Sequence, residues 1–252
     1  MRILLITVAG MSTRFSESVG RTCLKCIYYK KKIEESLLYN LLHQSDSFDK
    51  YILVGGFMYE ELEKSVKQYF KDLQEKIILI KNDQYQAYGS GYSLYVGLKE
   101  ALKLQFDQLV FAEGDLYFDQ QSFRKIILTD KNVITYNREP VLADKAVAFY
   151  YDQKDQIHYI YDTNHNMLEI KEPFLGIYNS GQVWKFAEQS RIMKVMEVMD
   201  EEDWKGTNLV FIQKYFESIS RQDYELMGFE EWINCNTVMD FDKMEAQDEI
   251  IR

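Results

Sequence analysis

Arg2-Ile3-Leu4-Leu5-Ile6-Thr7-Val8-Ala9-Gly10 is the stretch on which the fold turns. It is a nearly continuous apolar run, β-branched in part, and it stops at a glycine. Such a run, without polar alternation, fits a strand buried on both faces of a parallel sheet. Similar runs follow at residues 51–54, ended by Gly55-Gly56, at 76–80, and at 108–112, ended by Glu113-Gly114-Asp115. Between them lie helical patterns: residues 34–46, with leucines at 37, 38, 41 and 42, then 58–73, then 93–104, with Ser93 as its expected cap. Alternation of this kind predicts an α/β fold with a mostly parallel, doubly wound central sheet of Rossmann-like type. Ligands of such sheets bind beyond the carboxyl ends of the strands, where all four loops fall.

The second half reads as a mixed C-terminal part. Residues 133–136, 146–151 and 158–161 predict shorter strands, some antiparallel. Residues 179–188 and 208–218 predict helices. Residues 224–227 and 232–235 predict late strands, with a closing helix from Asp240. With two prolines and no Pro/Gly/Ser-rich linker or repeat, the expectation is a single domain over residues 1–252.

Composition narrows the class. No segment is long and apolar enough for a membrane span or shaped like a secretory signal. The three cysteines, Cys23, Cys26 and Cys235, suggest no disulfide framework, so a cytoplasmic location is expected. Cys23-x-x-Cys26 lacks the further ligands that a structural zinc site needs. His43, His158 and His165 form no Ser/His/Asp pattern, which leaves hydrolase chemistry unsupported. A net charge of −10 disfavours nucleic acid as a partner. Yet between Arg14 and Lys32 six cations stand against one carboxylate, Glu17. Cations gathered in one segment of an acidic chain suggest an anion held there.

That segment contains Ala9-Gly10-Met11-Ser12-Thr13-Arg14-Phe15, then Thr22-Cys23-Leu24-Lys25. A small turn after a buried strand can present backbone N–H groups to phosphate, with Arg14 as a chelating fork and Lys25 as a mobile charge. The segment resembles the signature of the sugar-phosphate and phosphocholine nucleotidylyltransferases, a Gly-rich loop ending in Thr-Arg or Ser-Arg and followed by a Pro-Lys pair. Gly10, Thr13, Arg14 and Lys25 match. Ser12 stands where that family usually has a second glycine, and Leu24 where it has proline. The resemblance implies that residues 9–13 bind nucleotide and that Lys25 and Arg14 are catalytic.

The loop after the third run, Asn82 to Leu94, resembles the family's nucleobase loop, with Asn82, Gly89 and Ser90 in its parts. The run Tyr92-Ser93-Leu94-Tyr95 is especially similar to the phosphocholine cytidylyltransferase branch. Asp115 corresponds to the acid that coordinates Mg²⁺ on the α-phosphate. Late in the chain, Asn234-Cys235-Asn236-Thr237 resembles the segment holding the second metal ligand, which places that role on Asn236. Asp240 is an alternative cap for the last helix.

The resemblance implies Mg²⁺-dependent transfer of an NMP group, with CTP as the expected donor, to a small phosphorylated acceptor with release of pyrophosphate. Phosphocholine or a phosphonate is favoured, on Asp144-Lys145-Ala146-Val147 among others. Aromatic faces with carboxylates can cage a quaternary ammonium, and the chain is 15% aromatic with nineteen tyrosines. Tyr117, Tyr178, Trp184, Glu169 and Glu172 are the candidates. The alternatives are a sugar-1-phosphate nucleotidylyltransferase, a glycosyltransferase on a similar sheet, and a nucleotide-binding protein without turnover. The sequence does not decide base, acceptor or oligomeric state.

Overall fold

A computed structural model describes residues 1–143, 147–161 and 168–251. Asp144, Lys145, Ala146 and His165 of the sequence reading lie outside the described residues. The four apolar runs form strands β1 (Arg2–Val8), β2 (Lys50–Gly55), β3 (Ile77–Lys81) and β4 (Gln108–Glu113). All are parallel, in register from Ile3↔Lys50 and Arg2↔Gln108 onward. They are separated by helices α1 (Thr13–Val19), α2 (Leu37–His43), α3 (Tyr59–Tyr69) and α4 (Ser90–Ala101). Local chemistry fixes the ends. Ser36 caps α2 by accepting from Tyr39 N, and α3 carries Glu60 and Glu61 in its first turn and Lys67 in its last, which suits the helix dipole.

The chain continues through β5 (Leu116–Phe118), α5 (Gln120–Leu128), β6 (Asn132–Asn137), β7 (Ala148–Asp152) and β8 (Ile157–Tyr159). Then come β9 (Phe174–Phe186), α6 (Gln189–Val198), α7 (Glu201–Lys205) and α8 (Leu209–Glu217). The last elements are β10 (Tyr224–Gly228), β11 (Trp232–Asn234) and α9 (Val238–Ile251). The main sheet runs β10-β6-β9-β4-β1-β2-β3, with β7 and β8 extending from β9. Strand β9 is antiparallel to both β4 and β6. The mostly parallel α/β sheet with a mixed C-terminal part is therefore present. Among the described residues no helix is long and apolar enough to cross a membrane.

Residues 179–188 are a correction: they belong largely to β9, not to a helix. Val183 faces the layer of α2, α3 and α5, while Trp184 and Phe186 join the layer of α4, α6 and α8. A strand buried on both faces shows no period-two polarity, so its pattern mimics a core helix. Ser93 is a second correction. Helix α4 starts at Ser90, and Ser93 is buried inside it, accepting from Asn82 Nδ2. Asp240 closes a reciprocal cap at α9: its Oδ2 accepts from Thr237 N at 2.9 Å, and Asp240 N donates to Thr237 Oγ1.

One buried cation braces the sheet. Lys185 on β9 is fully buried, and its Nζ donates to the carbonyls of Ile126, Ile127 and Thr129 at the end of α5. Burial, with Arg2 adding repulsion, pushes its ammonium down to about 8. Replacing Lys185 by Met keeps most of the volume but strands three carbonyls. We expect a loss of about 2–4 kcal/mol in urea unfolding, from unmet acceptors at about 1–3 kcal/mol each with partial relaxation.

Candidate active site

The carboxyl ends of β1 and β4, with the loops after β1 and β3, enclose a cleft of ≈ 270 Å³. Its floor is Thr7, Val8 and Ala9. One wall is Gly10, Ser12, Leu24, Lys25 and Cys26; the other is Tyr85, Tyr88, Gly89, Ser90 and Ser93. Glu113, Gly114 and Asp115 close the far side.

Ser12 has a left-handed backbone, φ 53°, which explains why glycine suits this position. That conformation costs a non-glycine residue about 1–2 kcal/mol. Ser12 offers something in return: its Oγ accepts from Lys25 N at 3.3 Å, joining the two halves of the basic segment. Leu24 is 2% exposed, so hydrophobic burial anchors the approach to Lys25 where proline would stiffen it. Lys25 Nζ lies 2.9 Å from Asp115 Oδ2 across the cleft. Met11 on the same loop and Thr13 at the start of α1 are exposed and do not line the cleft. Arg14 is also exposed, and its Nη2 donates to Asn236 Oδ1 at 2.8 Å.

Gly114 explains how Asp115 is held. A Cβ there would stand 2.2 Å from Val8 Cγ1 and 2.7 Å from Thr7 O, so only glycine lets the chain pass β1 so closely. Asp115 O then accepts from Cys235 N at 2.8 Å, and β11 pairs antiparallel with β5. This brings Asn236 to the Asp115 side, although its Oδ1 faces Arg14 and its Nδ2 donates to Asn234 Oδ1. Asp115 Oδ1 is buried and accepts no hydrogen bond. A buried carboxylate oxygen without a donor suits a hard cation such as Mg²⁺.

The base-side loop is held differently from the sequence expectation. Asn82 is 1% exposed; its Nδ2 donates to Ser93 Oγ and its Oδ1 accepts from Gln84 N. Both ends of the amide are committed within the protein, so Asn82 shapes the loop rather than facing the cleft. Tyr85 and Tyr88, which the sequence reading passed over, present themselves there instead. Gly89 N donates to Lys205 O at 2.7 Å, Gly91 N to Gly206 O at 3.0 Å, and Asn208 N to Ser90 Oγ at 3.0 Å. A Cβ on Gly89 would sit 2.3 Å from Gly206 O. For Gly89→Ala we expect a stability loss of about 1–3 kcal/mol from this overpacking, read in thermal or urea unfolding.

Glu113 was also missed. It points to the α4 side of β4, and Asn208 Nδ2 donates to its Oε1 at 2.8 Å. Burial and the nearby Asp115 charge push its carboxyl up to about 7, against the pull of Asn208 and Lys25. Its signal in the sequence was a carboxylate two residues before Asp115, at the end of an otherwise apolar strand.

Two acceptor candidates are corrected. Trp184 is fully buried, stacked on Phe111 and donating from Nε1 to Tyr159 OH, and Tyr117 is 4% exposed in the core with Phe15 and Phe241. Neither ring has a face for a ligand. Tyr178 stacks on Phe149, Glu172 accepts from Tyr150 OH, and exposed Glu169 pairs with Lys171. None of the three lines the cleft.

With this geometry in hand, comparison places the chain. The model of a family described as a domain of unknown function, DUF6564, matches residues 21–248. The chain belongs to this family. No curated protein matches the DUF6564 chain in sequence. Among solved structures it is similar to the inositol-1-phosphate CTP transferase of T. maritima, with TM-score 0.67 and 14% identity over 97% of this chain and 95% of that one. It is similar as well to the CTP:phosphocholine cytidylyltransferase LicC of Streptococcus pneumoniae, with TM-score 0.65 and 17% identity over 100% of both chains. A third is HddC of Yersinia pseudotuberculosis, complexed with GMP-PN, at TM-score 0.61 and 17% identity over 98% of this chain and 99% of that one. The DUF6564 chain thus has the fold seen in nucleotidyltransferases.

Proposed function

We propose that this DUF6564 chain is a nucleotidylyltransferase that moves an NMP group from an NTP to a small phosphorylated acceptor and releases pyrophosphate. The observation that carries the reading is the 2.9 Å approach of Lys25 Nζ to Asp115 Oδ2 in a cleft at the carboxyl edge of the sheet.

The chemistry needs little beyond positioning. An acceptor phosphate or phosphonate oxygen attacks the α-phosphorus in line and forms the new P–O bond. The bond to the β-phosphate oxygen breaks, and pyrophosphate carries away the electron pair. The acceptor is already an anion, so no general base is required. The obstacle is bringing two anions together. Lys25, its side chain 15% exposed, meets that demand with a desolvated positive charge that leaves Asp115 for the triphosphate. Mg²⁺, taken up through Asp115 Oδ1, supplies further charge neutralisation when bound. The Gly89-Ser90-Gly91 turn, pinned to residues 205–208, holds the nucleoside wall in place.

CTP as donor is supported by two structural relatives named for CTP chemistry, and phosphocholine as acceptor by one of them. A panel of four NTPs against phosphocholine, 2-aminoethylphosphonate and hexose 1-phosphates tests the reading. We expect pyrophosphate with CTP and phosphocholine or the phosphonate. Pyrophosphate only with a hexose 1-phosphate would reassign the acceptor. Nucleotide binding without pyrophosphate from any pair would overturn the proposal.

A further inference from the structure

We propose that Glu113, rather than Asn236, supplies the second protein oxygen for the divalent cation at Asp115. The inference rests on the nucleotidyl-transfer reading of the cleft and deepens it.

Asn236 is poorly placed for a cation. An amide can offer a metal only its carbonyl oxygen, and Asn236 Oδ1 already faces the Arg14 guanidinium at 2.8 Å. A divalent ion there would meet a fixed positive charge. The amide nitrogen is held by Asn234 Oδ1, so the group is braced in that orientation.

Glu113 has the opposite surroundings. It lines the same cleft as Asp115, one residue away across Gly114. The tight passage of Gly114 past Thr7 O and Val8 fixes the backbone between the two carboxyls. Asn208 engages Glu113 at Oε1 and so sets the orientation of the carboxyl. Asp115 is engaged by Lys25 at Oδ2, while its buried Oδ1 has no donor. Two carboxyls that repel each other, one with an unmet oxygen, are relieved by a cation between them. Among the described residues no group of three His, Cys, Asp or Glu side chains could hold a metal. The remaining ligands must therefore be phosphate oxygens and water, which is the ordinary Mg²⁺ arrangement with one or two carboxylates. The carboxylate that Asn236 lacks is thus regained on β4.

Mn²⁺ binding to the whole chain, followed by the loss of its free electron-paramagnetic signal, is the test. Glu113→Gln should weaken Mn²⁺ by about tenfold or more, as should Asp115→Asn, and Asn236→Ala should change it less than about twofold. Glu113→Asp keeps the charge but withdraws it by one methylene, and should give an intermediate loss that stands even if the glutamine variant fails to fold. Unchanged affinity in both Glu113 variants, or a loss confined to Asn236→Ala, would overturn the assignment. The two claims fail separately. If Mn²⁺ depends on Glu113 but no NTP and acceptor yield pyrophosphate, the cation site stands and the transferase reading falls. If transfer proceeds while Mn²⁺ ignores Glu113, the reverse holds.

Discussion

Lys25→Ala is expected to lower turnover by about 10²–10³-fold while the protein still folds. The effect follows from where the ammonium sits. Its side chain is mostly shielded from water, so its charge is weakly screened. The Lys25 backbone is tethered from two sides, by Ser12 Oγ accepting from the Lys25 backbone N–H and by the burial of Leu24. Alanine keeps both anchors and removes the ammonium with its pairing to Asp115. The loss should therefore fall on kcat more than on the KM for NTP, because the α-phosphate gains most from a nearby cation as pyrophosphate leaves. Pyrophosphate release under saturating NTP reads this directly. Near-normal turnover would remove Lys25 from the chemistry.

The second large effect is expected at Asp115→Asn, a loss of about 10³-fold or more in kcat/KM. Its distinguishing feature is stability. The substitution breaks the ion pair with Lys25, but it also ends the repulsion with Glu113. These opposing changes are each worth about 1–3 kcal/mol, so net stability should move by only about 1 kcal/mol. An inactive protein that melts near the wild-type temperature marks Asp115 as functional. A collapse in stability that matches the loss of activity would mark it as structural.

The first half of the fold was legible because β1, β2 and β4 are buried on both faces and end at or beside a glycine or a carboxylate, which leaves little else for such runs to be, while β3, half-buried at the sheet edge, keeps the same apolar run. The same property misled at β9, where double-sided burial of Val183, Trp184 and Phe186 has no period to read. Helix α5 went unread although Asp119 caps it with 2.7 Å geometry from Ser122 N, because its short apolar face, Phe123, Ile126 and Ile127, spans barely two turns.

At the site, sequence pointed to Lys25 and Asp115 because a strand end and a glycine loop limit where such side chains can go. It could not show that Asn82 turns inward. The Ser93 hydroxyl that binds it belongs to a neighbouring helix turn, and only tertiary packing brings the two together. Trp184 failed as an acceptor residue for a similar reason: aromatic content does not say which rings keep a free face. Glu113 lay in plain view but acquires meaning only through Asn208, which comes from α8's start, far along the chain.

In the proposed reaction Lys25 and Asp115 close on one triphosphate. The most direct measurement is a crystal structure with Mg²⁺ and an α,β-methylene CTP analogue. The α-phosphonate is expected between Lys25 Nζ and a cation on Asp115, with the Lys25–Asp115 contact opened. An analogue bound elsewhere, with that ion pair still intact, would contradict it.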